Sequence, residues 1–279
     1  MPSAYWDESL AERYRCFHFD FPEKPLAGRT VIVAGGTGGL GSALVAFLAG
    51  EGARVIVGYR SNRERAEKLQ QAIEEQFGSK LHFVVGDILD PAGRKAYLDA
   101  VRAAGEPLAG AAIFPGEPAR VPFESLSRET ITASLESNYI GPVLLARDLG
   151  EAMEGSGEAP GPGGNLVLLA TMQSVAPFPS SLAYAAPKAA LVHAARVLAL
   201  QWNKVTVNVV APGATVAGMA ESSVRAGKYD RHISNGAISR FGRPEDVARA
   251  VRFFLEPGQY ATGQVLVVDG GLTIRRDRG

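Results

Sequence analysis

Short apolar runs rich in β-branched residues alternate along this sequence with longer stretches of helical character. The runs read as strands, and they lie at Thr30–Val33, Arg54–Val57, Leu81–Val85, Gly110–Ile113, Leu166–Leu169, Val205–Val210 and Val265–Val268. The helical stretches lie at Gly41–Ala49, Arg63–Phe77, Pro91–Ala104, Arg128–Ala152, Leu182–Trp202 and Glu245–Leu255. The runs are apolar throughout, which is typical of strands buried on both faces. The sequence therefore predicts an α/β fold in three layers, a doubly wound parallel sheet of about seven strands with helices on both faces.

The sequence indicates one domain with an N-terminal extension. Of its 279 residues, 46% are hydrophobic, which is enough for a sizeable core, and no boundary separates two cores. We predict a single domain over residues 25–279. Residues 1–24 are predicted to form an arm that packs on the body or on a neighbouring molecule.

Charge and cysteine content exclude several classes of protein. The 29 Lys and Arg residues balance the 29 Asp and Glu residues, which argues against an overall attraction to nucleic acid or to an anionic membrane. No segment has the roughly 20 consecutive apolar residues of a membrane span. The single cysteine, Cys16, cannot form an intrachain disulfide, and the four histidines lack metal-ligand spacing. We expect a cytoplasmic protein that binds no metal, nucleic acid or membrane.

A glycine-rich turn joins the first predicted strand to the first predicted helix. Residues 34–41 fit two registers, G-x-G-x-x-G and G-x-x-x-G-x-G. Glycines let the backbone approach a pyrophosphate, whose charge the helix N-terminus stabilises. Ser42 stands where a kinase-type phosphate loop needs lysine, so a dinucleotide is the predicted ligand. The predicted contacts are Gly35, Thr37, Gly38, Gly39, Leu40 and Gly41.

The end of the second predicted strand bears on the choice between NAD(H) and NADP(H). An NAD site usually has an acidic residue about 20 residues past the glycines, whereas an NADP site has an arginine for the 2′-phosphate. Here the strand ends Tyr59-Arg60-Ser61, and the first acidic residue, Glu64, already lies in the next helix. Arg60 and Ser61 can hold a 2′-phosphate by charge and hydroxyl donation, so NADP(H) is favoured over NAD(H). The alternative is a solvated arginine at a helix start.

Tyr184 and Lys188 form the candidate catalytic pair. Their i, i+4 spacing places both side chains on one face of the predicted helix. An ammonium beside the phenol is expected to lower the pKa of the tyrosine, which makes Tyr184 a general acid or base for a carbonyl or alcohol oxygen. Thr171, at the end of the fifth strand, can hold the substrate oxygen, and Asn138 can support a water relay.

These motifs together resemble the short-chain dehydrogenase/reductase (SDR) family, in the single-domain branch that includes 3-oxoacyl-(acyl-carrier-protein) reductases and sugar dehydrogenases. The resemblance covers residues 25–274. It is carried by the glycine-rich turn, Asp87, Asn138, Tyr184 with Lys188, Asn208-Val-Val-Ala-Pro212-Gly213, Arg240-Phe-Gly-Arg-Pro244-Glu245, and Gly263-Gln264 with Asp269-Gly270-Gly271. It implies a Rossmann fold and a nicotinamide cofactor.

The resemblance also implies a role for each matching residue. Tyr184 would exchange the proton, Lys188 would hold the nicotinamide ribose and tune Tyr184, and Asn138 would order the water. Asp87 would receive the adenine amine. The remaining implied cofactor contacts are Ile88, Phe114, Gly116, Pro212, Gly213 and Thr215. Members of the family pair through the helix that corresponds to Tyr184–Trp202, which implies a homo-oligomer, a dimer or tetramer.

Three positions depart from the family pattern. Thr171 replaces the usual serine and adds a methyl group. Ile113-Phe114-Pro115-Gly116 replaces Asn-Asn-Ala-Gly, whose asparagines tie the fourth strand to its neighbours. Pro187 lies between the catalytic pair, where we expect a short distortion in the first helical turn.

The leading hypothesis is an NADP(H)-dependent oxidoreductase that reduces a ketone, or oxidises a secondary alcohol, with Tyr184 as the acid or base. A non-catalytic cofactor-binding or assembly protein with the same fold is the alternative, and an NAD-dependent dehydrogenase is a third possibility. The predicted walls of the substrate pocket, Met172–Phe178 and Ala214–Ile238, are mostly apolar, which indicates a mainly apolar small-molecule substrate.

Overall fold

The strands predicted from the sequence form one parallel sheet. The computed structural model describes residues 6–155, 163–179 and 181–275. The strands are β1 (Thr30–Ala34), β2 (Arg54–Tyr59), β3 (His82–Val85), β4 (Leu108–Ile113), β5 (Asn165–Leu169), β6 (Thr206–Pro212) and β7 (Val265–Val268). Their order is β3-β2-β1-β4-β5-β6-β7, and every neighbouring pair is parallel. The predicted α/β fold with a doubly wound parallel sheet is confirmed.

Helices connect successive strands. The α-helices are α1 (Glu8–Arg15), α2 (Gly41–Glu51), α3 (Arg63–Phe77), α4 (Pro91–Ala104), α5 (Arg128–Leu135), α6 (Gly141–Gly155), α7 (Leu182–Leu198), α8 (Glu221–Arg225), α9 (Asp230–Ser234), α10 (Pro244–Leu255) and α11 (Leu272–Arg275). Short 3₁₀ turns lie at Phe123–Ser125, Met172–Ser174 and Gly218–Ala220.

Two buried clusters cover the two faces of the sheet. On one face, Tyr97 of α4, Leu149 of α6 and Leu191 of α7 pack against the strands. On the other face, Leu44 of α2 and Phe254 of α10 do the same. Burial of the strands between two helical layers explains why their sequences are apolar at successive positions.

The strand order reverses between β1 and β4. In an open parallel sheet, such a reversal leaves a crevice outside the carboxyl ends of the strands, where ligands bind. The glycine-rich turn follows β1, Arg60 follows β2, Asp87 follows β3, Thr171 follows β5 and Gly213 follows β6. The topology therefore brings residues distant in sequence to one edge of the sheet.

The helix predicted over Arg128–Ala152 is interrupted. A single π-helical turn, Glu136–Ile140, separates α5 from α6, and the Gly141 amide bonds to the Glu136 carbonyl across it. Asn138 lies in this turn and is fully buried. The turn accommodates one more residue than an α-helical turn, a feature that apolar periodicity on either side does not reveal.

Helix α1, near the N-terminus, buries none of its residues, whereas Leu272 of α11, near the C-terminus, is fully buried. Residues 1–5 of the arm and 276–279 of the predicted domain lie outside the described residues. No helix within the described ranges combines the length and apolarity needed to cross a membrane.

Candidate active site

Two adjoining cavities lie along the carboxyl edge of the sheet. One, of about 520 Å³, surrounds the glycine-rich turn and is called here the glycine-loop cavity. The other, of about 390 Å³, contains Thr171 and Tyr184 and is called the catalytic cavity. Four residues line both cavities, and these are Leu40, Phe114, Leu169 and Met219.

The backbone of the glycine-rich turn packs so closely against neighbouring atoms that side chains at several of its positions would not fit. Gly35 has a φ of 73°, a left-handed conformation that favours glycine. A Cβ atom at Gly39 would lie 2.5 Å from the Gly218 nitrogen, and one at Gly41 would lie 2.5 Å from the Gly35 carbonyl oxygen. A Cβ atom at Gly36, which belongs to the other register, would also lie 2.8 Å from Val57 Cγ1, so the structure constrains glycines of both registers.

Nearly all predicted dinucleotide contacts before β5 line the glycine-loop cavity. They are Gly35, Thr37, Gly38, Gly39, Leu40, Gly41, Tyr59, Arg60, Asp87, Ile88, Phe114 and Gly116. Ser61 is the exception, because it is exposed outside this cavity. The sequence interpretation also missed Glu117, which lines the cavity, and Arg65, whose Nε donates to the Thr37 carbonyl of the glycine-rich turn.

Arg60 faces two carboxylates across this cavity. Its guanidinium lies 3.4 Å from a Glu117 oxygen and 4.0 Å from an Asp87 oxygen. Because the Arg60 side chain is 64% exposed, these pairs contribute little to stability. These contacts therefore do not fix the position of the Arg60 side chain.

The catalytic cavity brings together the remaining predicted residues. Thr171, Tyr184, Lys188, Pro212, Gly213 and Thr215 line it. The side chains of Thr171 and Tyr184 are hydrogen-bonded to each other. Lys188 is 2% exposed, and its Nζ donates to the Leu169 carbonyl at 2.8 Å. Asn138 lies beside it, since a Cβ at Gly116 would be 2.6 Å from Asn138 Oδ1 and 3.2 Å from Lys188 Nζ.

The pKa of Tyr184 is shifted opposite to the sequence prediction. Burial raises it to about 12, while the hydrogen bond with Thr171 opposes the rise. Burial also lowers the pKa of Lys188 to about 7. The lysine therefore does not carry the permanent neighbouring charge that the prediction assumed, and the phenol stays protonated at neutral pH.

Asn138 holds the chain that follows β4. Its Nδ2 donates to the Glu117 carbonyl at 3.0 Å, and its Oδ1 accepts from the Glu117 amide at 3.1 Å. Asn138 Nδ2 also donates a hydrogen bond to Ser134 Oγ at 3.1 Å. The chain after β4 is thus held by Asn138 of the π turn, which Ser134 of α5 contacts in turn. The water-relay role of Asn138 stays a prediction.

Pro187 connects this network to α7. It is the sixth residue of α7, beyond the first turn in which the sequence interpretation placed it. Because proline has no N–H, the carbonyl of Ala183 lacks its i+4 helical donor. Ser134 Oγ donates to that carbonyl at 2.6 Å and so satisfies it. Nothing in the sequence pattern pointed to Ser134. Helix α7 also ends at Leu198, before the predicted Trp202.

The replacement at 113–116 leaves the cleft open. Phe114 is 8% exposed, and its amide donates to the Ala34 carbonyl at 3.0 Å, which continues the pairing between β1 and β4. Its side chain forms part of both cavities without filling either. Within the same described ranges, no three His, Cys, Asp or Glu side chains are grouped to hold a metal ion.

Comparison with known families gives one match over most of the chain. A family model described as enoyl-(acyl carrier protein) reductase, which belongs to the SDR family, matches residues 34–273.

Two curated relatives and one solved structure show the same similarity. NADPH-dependent aldehyde reductase 2 of Arabidopsis thaliana is 30% identical over 266 residues, covering 90% of this chain and 96% of its own. D-threitol dehydrogenase of Mycolicibacterium smegmatis is 28% identical over 260 residues, covering 92% and 96%. A short-chain type dehydrogenase/reductase from Mycobacterium ulcerans superposes with a TM-score of 0.82 at 24% identity, covering 90% and 91%, and supports the fold.

The link between Ser134 and Pro187 gives the first prediction. Ser134→Ala should lower the free energy of unfolding by about 1–2 kcal/mol, because a buried carbonyl and a buried amide N–H lose their partner. In a Pro187→Ala background the cost should be smaller, since the new N–H can bond to the Ala183 carbonyl. Urea unfolding of the two single variants and the double variant measures this coupling, and purely additive costs would contradict it.

The buried Lys188 gives the second prediction. At pH values between the folded pKa of Lys188, about 7, and its higher ordinary pKa, the lysine is protonated in the unfolded chain but not in the folded one. Over this range the free energy of unfolding therefore rises with pH. Lys188→Met should therefore raise the midpoint of urea unfolding more at pH 6 than at pH 10.

The control for this prediction is Lys68→Met, which removes an exposed lysine paired with Glu64 on α3. It should show little dependence on pH. A stabilisation by Lys188→Met that is equal at both pH values, or larger at pH 10, would show that no charge is buried at this position.

Proposed function

The chain belongs to the short-chain dehydrogenase/reductase family, and on that premise we propose that it is an NADP(H)-dependent oxidoreductase that reduces a ketone, or oxidises a secondary alcohol, with Tyr184 as the acid–base group. The observation that carries the proposal is the convergence of Thr171, Tyr184 and Lys188 on one cavity that adjoins the glycine-loop cavity. A reacting group and a dinucleotide can therefore meet at a shared wall.

The glycine-loop cavity fits a dinucleotide. Its turn needs glycine at positions 39 and 41, because a Cβ atom there would meet the backbone of Gly218 or Gly35. The backbone N–H groups at the start of α2 would bind the pyrophosphate. Asp87 and Ile88 would border the adenine, and Gly213 and Thr215 would border the nicotinamide. When bound, the nicotinamide supplies a hydride to the carbonyl carbon or accepts one from the alcohol carbon.

The preference for NADP(H) rests on cations at the far end of this cavity. Arg60 lies on its wall, and Arg65 contacts the glycine-rich turn. A guanidinium can donate two parallel hydrogen bonds to the 2′-phosphate of NADP(H). NAD(H) has no phosphate at this position and cannot accept them. The names of Arabidopsis relatives as NADPH-dependent aldehyde reductases agree with this preference.

Tyr184 and Thr171 act on the substrate oxygen. With its pKa raised to about 12, the Tyr184 phenol is protonated at neutral pH and is suited to give its proton to the oxygen of a carbonyl as that oxygen becomes negative. The Thr171 hydroxyl can donate a hydrogen bond to the same oxygen. This protonation state favours the reductive direction.

Lys188 and Asn138 support this step. The protonated form of Lys188, whose pKa is about 7, stabilises the phenolate that Tyr184 leaves behind, and its ammonium can also hold the nicotinamide ribose. Asn138 keeps the chain at Glu117 against the cavity wall. We also propose that Asn138 orders the water that returns a proton to Tyr184.

The non-catalytic alternative rests on the replaced residues 113–116. Phe114 and Pro115 would support it if they filled the cleft, but a cavity of about 520 Å³ remains beside them. An NAD-dependent dehydrogenase would leave Arg60, on the wall of the glycine-loop cavity, without a 2′-phosphate to bind. Both alternatives therefore have less support than the reductase.

Assembly and location are part of the same proposal. Val197 of α7 is 43% exposed and Leu200, just beyond the helix, is 83% exposed, so α7 presents apolar side chains to solvent. We propose that α7 pairs with its copy in a homo-oligomer, and that the protein acts in the cytoplasm.

Tyr184→Phe tests the acid assignment. It should lower kcat for carbonyl reduction by about 10²–10⁴-fold, because a positioned proton donor is lost, while leaving the Kd for NADPH within about twofold. The matched control is Tyr229→Phe, which removes the other phenol that lines the same cavity and should cost less than about tenfold. Turnover by Tyr184→Phe at the wild-type rate, in a variant that still binds NADPH, would reject the assignment.

A further inference from the structure

Every charged side chain among the described residues that line the catalytic cavity is positive. Among the described residues of its wall, the charged side chains are Arg120, Lys188 and Lys228, and no Asp or Glu is present. Lys188 is buried beside the reacting groups, whereas Arg120 and Lys228 are exposed at the wall. The cavity therefore has a positive potential that low-dielectric walls concentrate.

Arg120 and Lys228 form no ion pair with any described residue. The Arg120 guanidinium donates to the Met219 carbonyl at 2.5 Å, and Lys228 Nζ lies 5.9 Å from the centroid of the Tyr229 ring. Neither cation has a carboxylate of a described residue within the 4.0 Å of an ion pair. Arg225, in the same region but outside the cavity, is by contrast paired with Glu221 at 2.7 Å.

Tyr229 interacts electrostatically with Arg120 on one side and with Tyr184 on the other. The ring of Tyr229 is buried, and its phenol is hydrogen-bonded to the Gln173 side chain. Burial raises the pKa of Tyr229 and the charge of Arg120 opposes the rise. Tyr229 in turn raises the pKa of Tyr184. Arg120, Tyr229 and Tyr184 also line the same cavity, so one small molecule in that cavity can extend from the catalytic hydroxyls toward Arg120.

We propose that the substrate of this enzyme carries an anionic group, a carboxylate or a phosphate, which Arg120 and Lys228 bind while its carbonyl oxygen faces Tyr184 and Thr171. The inference rests on the proposed reductase function and names its substrate class. An arginine and a lysine that form no ion pair with a described residue provide charge-assisted donors that a carboxylate or phosphate satisfies. The remaining wall includes Val121, Pro122 and Met172, which can pack against an apolar part of such a substrate.

This substrate differs from the mainly apolar one that the sequence predicted. That prediction considered the segments 172–178 and 214–238, whereas Arg120 comes from the chain that follows β4. The cavity fits an amphipathic molecule, with an apolar middle and a negative end.

Three ketones of equal chain length test the inference, one ending in a carboxylate, one in the corresponding methyl ester and one in a phosphate monoester. With NADPH, kcat/KM should be at least about tenfold higher for one or both anionic ketones than for the ester. The comparison of carboxylate with phosphate identifies which anion fits. The preference should weaken at high ionic strength, because Arg120 and Lys228 are exposed.

Arg120→Gln and Lys228→Gln should each lower kcat/KM for the preferred anionic ketone by about tenfold and leave the ester within about twofold. Arg225→Gln is the matched control, since it removes a paired arginine outside the cavity and should change neither rate. Equal losses for anionic ketone and ester in Arg120→Gln would show a structural role for its bond to Met219 and would overturn the inference.

A binding measurement separates failure of this inference from failure of the proposed function. The shift in Tm that each ketone produces in the NADPH-loaded protein requires no turnover. If an anionic ketone shifts the Tm and both Gln variants abolish the shift, the anion site is supported even when no ketone is reduced. Absence of reduction in that case counts only against the proposed reductase function. No shift by either anionic ketone, or equal shifts by anion and ester, overturns the inference.

Discussion

The buried ammonium of Lys188 is the constraint around which the site is arranged. Its Nζ donates to the Leu169 carbonyl at 2.8 Å, which fastens the second turn of α7 to the carboxyl end of β5. Thr171 follows that strand, and Tyr184 lies one turn earlier on the same helix, so the bond brings the two hydroxyls together. Burial disfavours the charged form of the lysine, and its pKa falls to about 7. The fold therefore keeps a group near its titration point beside the phenol that would receive or lose a proton.

A second connection holds the opposite wall. Pro187 removes a helical hydrogen bond from α7, and Ser134 satisfies the freed Ala183 carbonyl from α5. Ser134 also accepts from Asn138, which in turn holds the peptide of Glu117 after β4. The ends of β4 and β5 and the start of α7 are thus joined through side chains. This network holds the chain that follows β4 without asparagines at 113–116.

The sheet was predictable because a strand buried on both faces must be apolar along its length, as Thr30–Ala34 and Asn165–Leu169 nearly are. The glycine-rich turn and the Tyr184/Lys188 spacing were readable for a similar reason, since local geometry dictates them. Other features depend on distant partners. The π turn at Asn138 interrupts a continuous helical pattern. The pKa of Tyr184 depends on its burial. Arg120 lines the cavity because of the path that the chain takes after β4.

The two cavities differ in the charges that line them. The glycine-loop cavity holds Arg60 with Asp87 and Glu117, whereas the catalytic cavity holds cations alone. Dinucleotide binding is the step on which the whole account depends, and a fluorescence titration with NADPH and, separately, NADH tests it most directly. The account predicts saturable binding of both, tighter for NADPH, with the difference reduced in Arg60→Gln. Binding of neither dinucleotide would contradict it and would favour a non-catalytic role for the fold.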